Sequence, residues 1–229
     1  MAKSLSLFFP CYNEEQNIEK TVTRAVSVLG RMFDNYEIIV VDDGSRDRTG
    51  AIVTKIAAMY PEVRLVKHEQ NLGYGAALRS GIFSARYDLV CFSDGDGQFN
   101  MEEIAKFLPL IENYDLVLGY RMERQDPWYR VLNAWLYRAG VNLLFNLGVK
   151  DIDCAFKMFH REIFSRIEIE SNGAVASAEM LIKAKKLGYR FAEVGVTHLP
   201  REHGEPTGAK LKVIFKAFSE LLKLWRRLA

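Results

Sequence analysis

Residues 89–93 form a short apolar run that breaks off into Asp94-Gly95-Asp96-Gly97-Gln98. Two carboxylates one residue apart, followed by a side-chain amide, make a set of hard oxygen donors. Such a set suits Mg²⁺ or Mn²⁺, above all where a diphosphate completes the shell. If the chain stays extended, Asp94 and Asp96 share one side of it, because side chains alternate. Gly95 and Gly97 leave the backbone free to bend beside them. Asp and Gly are also ordinary turn residues, so a polar turn accounts for the triplet alone equally well. Two other strand-like runs lead into the same kind of sequence. Residues 36–41 end in Asp42-Asp43-Gly44-Ser45, and residues 63–66 precede Asn71-Leu72-Gly73-Tyr74-Gly75. Gly73 and Gly75 read equally as backbone punctuation. Several strand ends of this kind on one sheet edge point to a single site. Further along stand Asp151 and Asp153, and the cations Arg121, Arg130 and Arg201. Arginine holds phosphate oxygens in pairs, although any one of these three alone also reads as a surface charge or ion pair.

The elements that must position these residues follow from hydrophobic spacing. Residues 5–9 are apolar and end at Pro10. Ile18, Val22, Ala25, Val26 and Leu29 then recur at helical intervals up to Gly30, with Asn13 read as the N-cap and Glu14 and Glu15 in the first turn. Ile38-Ile39-Val40-Val41 is an unbroken apolar run, which predicts a strand buried on both faces of a parallel sheet. Helical patterns at 49–60, from 76 through Leu78 and Ile82, and at 101–112 alternate with strands at 63–66, 89–93 and 114–118. Strand and helix in alternation, joined by right-handed crossovers, predict a doubly wound α/β half. After Gly119 the style changes. Asp126-Pro127 reads as a cap with proline at the first helical position. Leu132, Trp135, Leu136, Ala139 and Leu143 form a helical stripe, and Trp128, Tyr129, Arg130, Tyr137 and Arg138 mix aromatics with cations. That mixture fits a membrane-interface surface or a helix packed on the core. A loop carries Asp151 and Asp153, and a helix holds Glu179. A strand at 190–196, a polar loop at 198–208 and a basic amphipathic helix from about Lys210 complete the chain.

Composition narrows the function classes. The 229 residues are 49% hydrophobic and 26% charged, as expected of one folded domain rather than a disordered chain. A net charge of +2 gives no basic field for nucleic acid. Cys11, Cys91 and Cys154 are too far apart for a metal-ligand pattern, and their odd number fits reduced thiols in a cytosolic compartment. Met1-Ala2-Lys3 leads straight into a strand-like run rather than a signal-peptide layout. No apolar stretch reaches the roughly 18–20 residues that span a bilayer.

Taken together and in this order, the motifs resemble glycosyltransferase family 2, the inverting enzymes of GT-A fold. The likeness is strongest to the dolichol- and polyprenyl-phosphate sugar synthases. It is carried by Pro10-Cys11-Tyr12-Asn13-Glu14-Glu15, Asp42-Asp43-Gly44-Ser45 with Asp47 and Thr49, Asn71-Leu72-Gly73, Asp94-Gly95-Asp96-Gly97-Gln98 and Gly119-Tyr120-Arg121. It continues, more loosely, through Asp151-Ile152-Asp153-Cys154-Ala155-Phe156-Lys157, Glu193-Val194-Gly195-Val196 and Arg201-Glu202-His203-Gly204. The resemblance implies a single GT-A domain, a Rossmann-like, mostly parallel sheet flanked by helices. Its nucleotide-sugar half would be 1–121, its acceptor half 122–208, and 209–229 its amphipathic helix. It also implies a GDP- or UDP-sugar donor, with Pro10, Tyr12, Glu14, Asp43, Asn71 and Asp94 in the donor pocket. Asp94, Asp96 and Gln98 would hold Mg²⁺ or Mn²⁺. An acceptor lipid phosphate is already an anion and needs cations rather than a base, which gives Arg121, Arg130 and Arg201 their work beside Asp96. A hydroxyl acceptor needs a base, and Asp153 stands as that alternative. Donor, lipid phosphate and membrane surface are the expected partners, with room for a membrane-anchoring subunit or a second copy. The expected location is cytoplasmic, peripheral on the cytoplasmic membrane face.

Overall fold

A computed structural model describes residues 4–122, 128–204 and 211–228, with the side chains of 128–130 and 211–217 excepted. The chain runs β1 (Ser4–Cys11), α1 (Ile18–Met32), β2 (Asn35–Asp42), α2 (Thr49–Met59), β3 (Val63–Lys67), α3 (Tyr74–Ser84) and β4 (Leu89–Phe92). It continues through α4 (Ile104–Ile111), β5 (Leu116–Met122), α5 (Trp128–Phe145), β6 (Lys157–His160), α6 (Val175–Lys186), β7 (Phe191–Thr197) and α7 (Leu211–Leu228). One seven-stranded sheet has the order β3-β2-β1-β4-β6-β5-β7.

The central strands are buried on both faces, as their unbroken apolar runs require. Leu5, Leu7, Phe8 and Phe9 of β1 and Ile38 through Val41 of β2 are all inaccessible to solvent. Each such side chain contributes about 1.5–3 kcal/mol relative to exposure. β1 pairs in parallel with β2 and β4, β2 with β3, and β5 with β7. The alternating α/β first half is therefore observed as expected.

Two features depart from the expected elements, and one pattern shows its direction. The segment before α6 contains a strand, β6, that pairs antiparallel with both β4 and β5. Its four residues are too few to show a period, and Lys157 interrupts their apolar character. Asn13 does not cap α1. It takes a left-handed conformation with φ 57°, four residues before the helix begins behind Asn17. The stripe Leu132, Trp135, Leu136, Ala139 and Leu143 faces outward, and α5 turns Tyr137 and Val141 to the core instead. The expected Asp126-Pro127 cap lies outside the described residues.

The described half of α7 closes the molecule. Leu221 and Leu224 are buried, Phe218 meets the Tyr137 ring edge-on at 6.0 Å, and Arg227 donates to Glu170 and to the fully buried Glu179.

Candidate active site

Because β1, β2, β4, β5 and β7 run the same way, their C-terminal ends share one sheet edge. The reversed β6 brings the residues before its start, Asp151 and Asp153, to that edge as well. One edge thus collects Tyr12 and Glu14, Asp43, Asn71, Asp94 through Gln98, Arg121, Asp151, Asp153 and Arg201.

The loop after β1 is zipped to the loop after β2. Asn13 N–H donates to Ser45 Oγ at 2.9 Å, Glu14 N–H to Thr49 Oγ1 at 2.9 Å and Glu15 N–H to Asp47 Oδ2 at 3.1 Å. Arg46 N–H returns a bond to Asn13 Oδ1 at 2.8 Å. The short polar residues at 45, 47 and 49 therefore hold Glu14 in place. Pro10 is buried in β1 opposite Val41, Tyr12 is half-buried and Asn71 is exposed. Asp43 is nearly inaccessible and accepts from Leu72 N–H and Gly73 N–H, each at 2.9 Å. The left-handed Gly73, φ 97°, packs so closely on Asn172 that a Cβ there would lie 2.4 Å from its carbonyl oxygen.

Asp94 and Asp96 lie in a tight turn beyond β4 rather than on a continuing strand. Gly95 is required here, because a Cβ would come within 2.2 Å of Cys11 Sγ. Burial, then repulsion from Asp96, pushes the Asp94 carboxyl up to about 7, and Arg121 and Lys157 only partly offset this. Burial also raises Asp96 and Glu14. A pair of half-buried like charges held in this way gains most from a divalent cation, so the residues fit a metal. Among the described residues no three His, Cys, Asp or Glu side chains stand in metal-holding geometry. The ion would then draw its other ligands from Gln98, diphosphate oxygens and water.

Two arginines flank the acids. Arg121 forms a fork with Asp151, Nε to Oδ2 at 2.7 Å and Nη2 to Oδ1 at 2.9 Å, and the pair is almost wholly buried. Its charge favours the ionised forms of both Asp94 and Asp96. Arg201 bridges Glu14 Oε1 at 2.5 Å and Asp96 Oδ2 at 3.2 Å. The segment 198–204 is strapped down by Gln98 Nε2 on Leu199 O at 3.0 Å, Asn17 Nδ2 on His203 O at 3.3 Å and Lys20 on Glu202 at 2.7 Å. Asp153 is exposed, and its charge joins that of Asp94 in raising the Tyr74 phenol, after burial itself. Arg130 belongs to α5, and its side chain lies outside the described residues.

Sequence reasoning passed over Lys157. Its fully buried amine donates to the carbonyls of Ile152 and Cys154 and to Ser177 Oγ, which ties down the loop carrying Asp151 and Asp153. Burial lowers its pKa. A lysine inside an apolar run after two acids was the available signal.

Residues 6–168 match the model of glycosyl transferase family 2. This chain belongs to that family. A dolichyl-phosphate beta-glucosyltransferase of Trichomonas vaginalis is 30% identical over 96% of this chain and 72% of its own length. An undecaprenyl-phosphate 4-deoxy-4-formamido-L-arabinose transferase of Edwardsiella ictaluri is 30% identical over 92% of this chain. This chain covers 64% of that protein, and 37% of glycosyltransferase AglD of Haloferax volcanii, so it spans under two thirds of several relatives. Among solved structures, glucosyl-3-phosphoglycerate synthase of Mycobacterium tuberculosis, in complex with Mn²⁺, uridine-diphosphate-glucose and phosphoglyceric acid, superposes with a TM-score of 0.76. The match covers 98% of this chain and 80% of that one at 23% identity, a likeness of fold. The family 2 glycosyltransferase has the mostly parallel GT-A architecture.

Proposed function

We propose that this glycosyltransferase moves a sugar, with inversion, from a nucleotide-diphosphate sugar to a polyprenyl phosphate at a membrane surface. The observation that carries the reading is the half-buried pair Asp94 and Asp96 flanked by Arg121 and Arg201. Asp94, Asp96 and Gln98 would hold Mg²⁺ or Mn²⁺, whose charge offsets that gathering on the departing diphosphate. Pro10, Tyr12, Glu14, Asp43 and Asn71 would line the nucleotide pocket. Arg121 spends Nε and Nη2 on Asp151, and the rest of its fork, with Arg201 and Arg130, would hold the incoming phosphate. That nucleophile arrives ionised, so no base is needed in the site.

The named relatives that act on dolichyl and undecaprenyl phosphates support this acceptor class. The outward face of α5 supports the membrane surface, with Trp135 54% and Leu143 86% exposed. No helix among the described residues is long and apolar enough to cross a membrane. In this reading the domain works peripherally, on the cytoplasmic face. A second reading keeps Asp153 as general base for a hydroxyl acceptor, favoured by its exposure on the sheet edge that also carries the acid pair.

The test mixes the protein and Mn²⁺ or Mg²⁺ with UDP- and GDP-sugars, with and without a short polyprenyl phosphate. Nucleotide release that depends on the lipid and yields a lipid-linked sugar is expected. Donor turnover indifferent to the lipid would move the acceptor to a hydroxyl, and Asp153→Asn would then abolish transfer.

A further inference from the structure

His68, directly after β3, stands between two elements of the donor half. Its Nδ1 lies 2.7 Å from Asp43 Oδ1, and its Nε2 lies 2.8 Å from Ser80 Oγ. Asp43 Oδ1 also accepts Leu72 N–H, and Oδ2 accepts Gly73 N–H. A carboxylate has about four acceptor positions, so these three donors leave one, on Oδ2, for a ligand. The His68 and Asp43 side chains are only 10% and 5% exposed. The one ring thus meets the Asp43 carboxylate through Nδ1 and the Ser80 hydroxyl through Nε2. Ser80 sits on α3 beside Gly81, where a Cβ would come within 2.2 Å of the Phe8 ring of the central strand. The chain Ser80–His68–Asp43 therefore runs from a helix packed on the sheet to the loop at 71–73.

We propose that His68, backed by Ser80, is a positioning residue for the donor nucleotide. It fixes the Asp43 carboxylate and, through it, the Leu72 and Gly73 amides, so the pocket between the loops after β2 and β3 is shaped before nucleotide arrives. The inference rests on the donor reading above. Neither residue touches the donor in this assignment, so the effect falls on donor binding and spares the chemical step. A histidine that served the fold alone would alter melting temperature without this selectivity.

The test is calorimetric binding of UDP and GDP in the presence of Mn²⁺. Loss of a hydrogen bond to a charged group predicts about tenfold weaker binding for His68→Ala and a smaller loss for Ser80→Ala. Ser80→Thr keeps the hydroxyl and restores affinity. In an Asp43→Asn background, His68→Ala adds no further loss, because it acts through that carboxylate. At saturating donor, kcat and the acceptor KM stay at wild-type values. Ser80→Ala carries the test if His68→Ala does not fold. Wild-type affinity in both folded single variants, an equal loss in the Asp43→Asn background, or a rise confined to the acceptor KM would overturn the proposal. Wild-type protein that binds neither UDP nor GDP would overturn the donor reading together with it, whereas binding insensitive to His68 and Ser80 would sink the positioning role alone.

Discussion

Asp94 carries a carboxyl that burial and Asp96 hold up to about 7, from an ordinary 3.8. Between those values the folded chain binds a proton that the unfolded chain has lost. This group therefore makes the metal-free protein less stable as pH rises through that window. Melting curves from pH 4 to 7.5 are expected to show that fall in wild type and a smaller fall in Asp94→Asn. Glu37 and Glu179 have lowered pKa values and act in the opposite sense, so the comparison with the variant is the informative one. Mn²⁺ at pH 7.5 is expected to raise the wild-type melting temperature and leave Asp94→Asn nearly unmoved. Equal pH slopes in the two proteins would contradict the assignment. At Arg121 geometry matters as much as charge. Arg121→Lys keeps the charge and loses the fork on Asp151, and a charge-assisted bond of about 1.5–3 kcal/mol corresponds to a fall of about 10- to 100-fold in kcat/KM for the lipid phosphate. A kinetic titration with short polyprenyl phosphate checks this, and a wild-type kcat/KM would remove Arg121 from the acceptor site.

Among the elements, the strap at 198–204 and the closing helix α7 make separate demands. Arg201 and a metal ion would share the half-buried Asp96 carboxylate, and two cations on one oxygen pair repel. Mn²⁺ is expected to break the Arg201–Asp96 contact and speed amide exchange over 198–204, and Arg201→Gln is expected to bind Mn²⁺ more tightly. Slower exchange with Mn²⁺ would mean that the strap tightens instead. α7 was legible as an amphipathic basic helix, but its partner was not. Leu224 is buried against the core, and Leu224→Ala is expected to cost about 2–5 kcal/mol in a denaturant titration. Strand β6 was illegible because four residues with a buried lysine carry no period. The stripe on α5 was legible as a pattern, while its direction was not, since spacing defines a face and only packing says what that face meets.

For the whole molecule, that direction has a consequence. A folded chain that turns Leu132, Trp135, Leu136 and Leu143 to solvent exposes apolar area that a lipid surface would cover. Flotation with anionic vesicles is expected to carry wild type upward, and Trp135→Ser with Leu143→Ser to remain below at an unchanged melting temperature. Flotation unaffected by the pair of changes would move the contact elsewhere. Both substitutions are at exposed positions, so loss of binding would not be a sign of unfolding.

By itself the sequence determined the alternating first half and the buried central strands, because each depends on local spacing, and it singled out the acids and glycines at the strand ends. Apolar runs define strands, helical intervals define faces, and Asp and Gly at strand ends define a polar edge. Tertiary structure decided which of these residues meet. The reversed β6, invisible to periodicity, sends Asp151 and Asp153 to the edge where Asp94 and Asp96 emerge. The strap carries Arg201 across 105 residues of chain onto Asp96. His68 gained its place only when β3 lay beside β2 and α3 brought Ser80 to its other nitrogen. Such contacts depend on strand order and direction, which are set by how the whole sheet buries its apolar faces and not by any single segment.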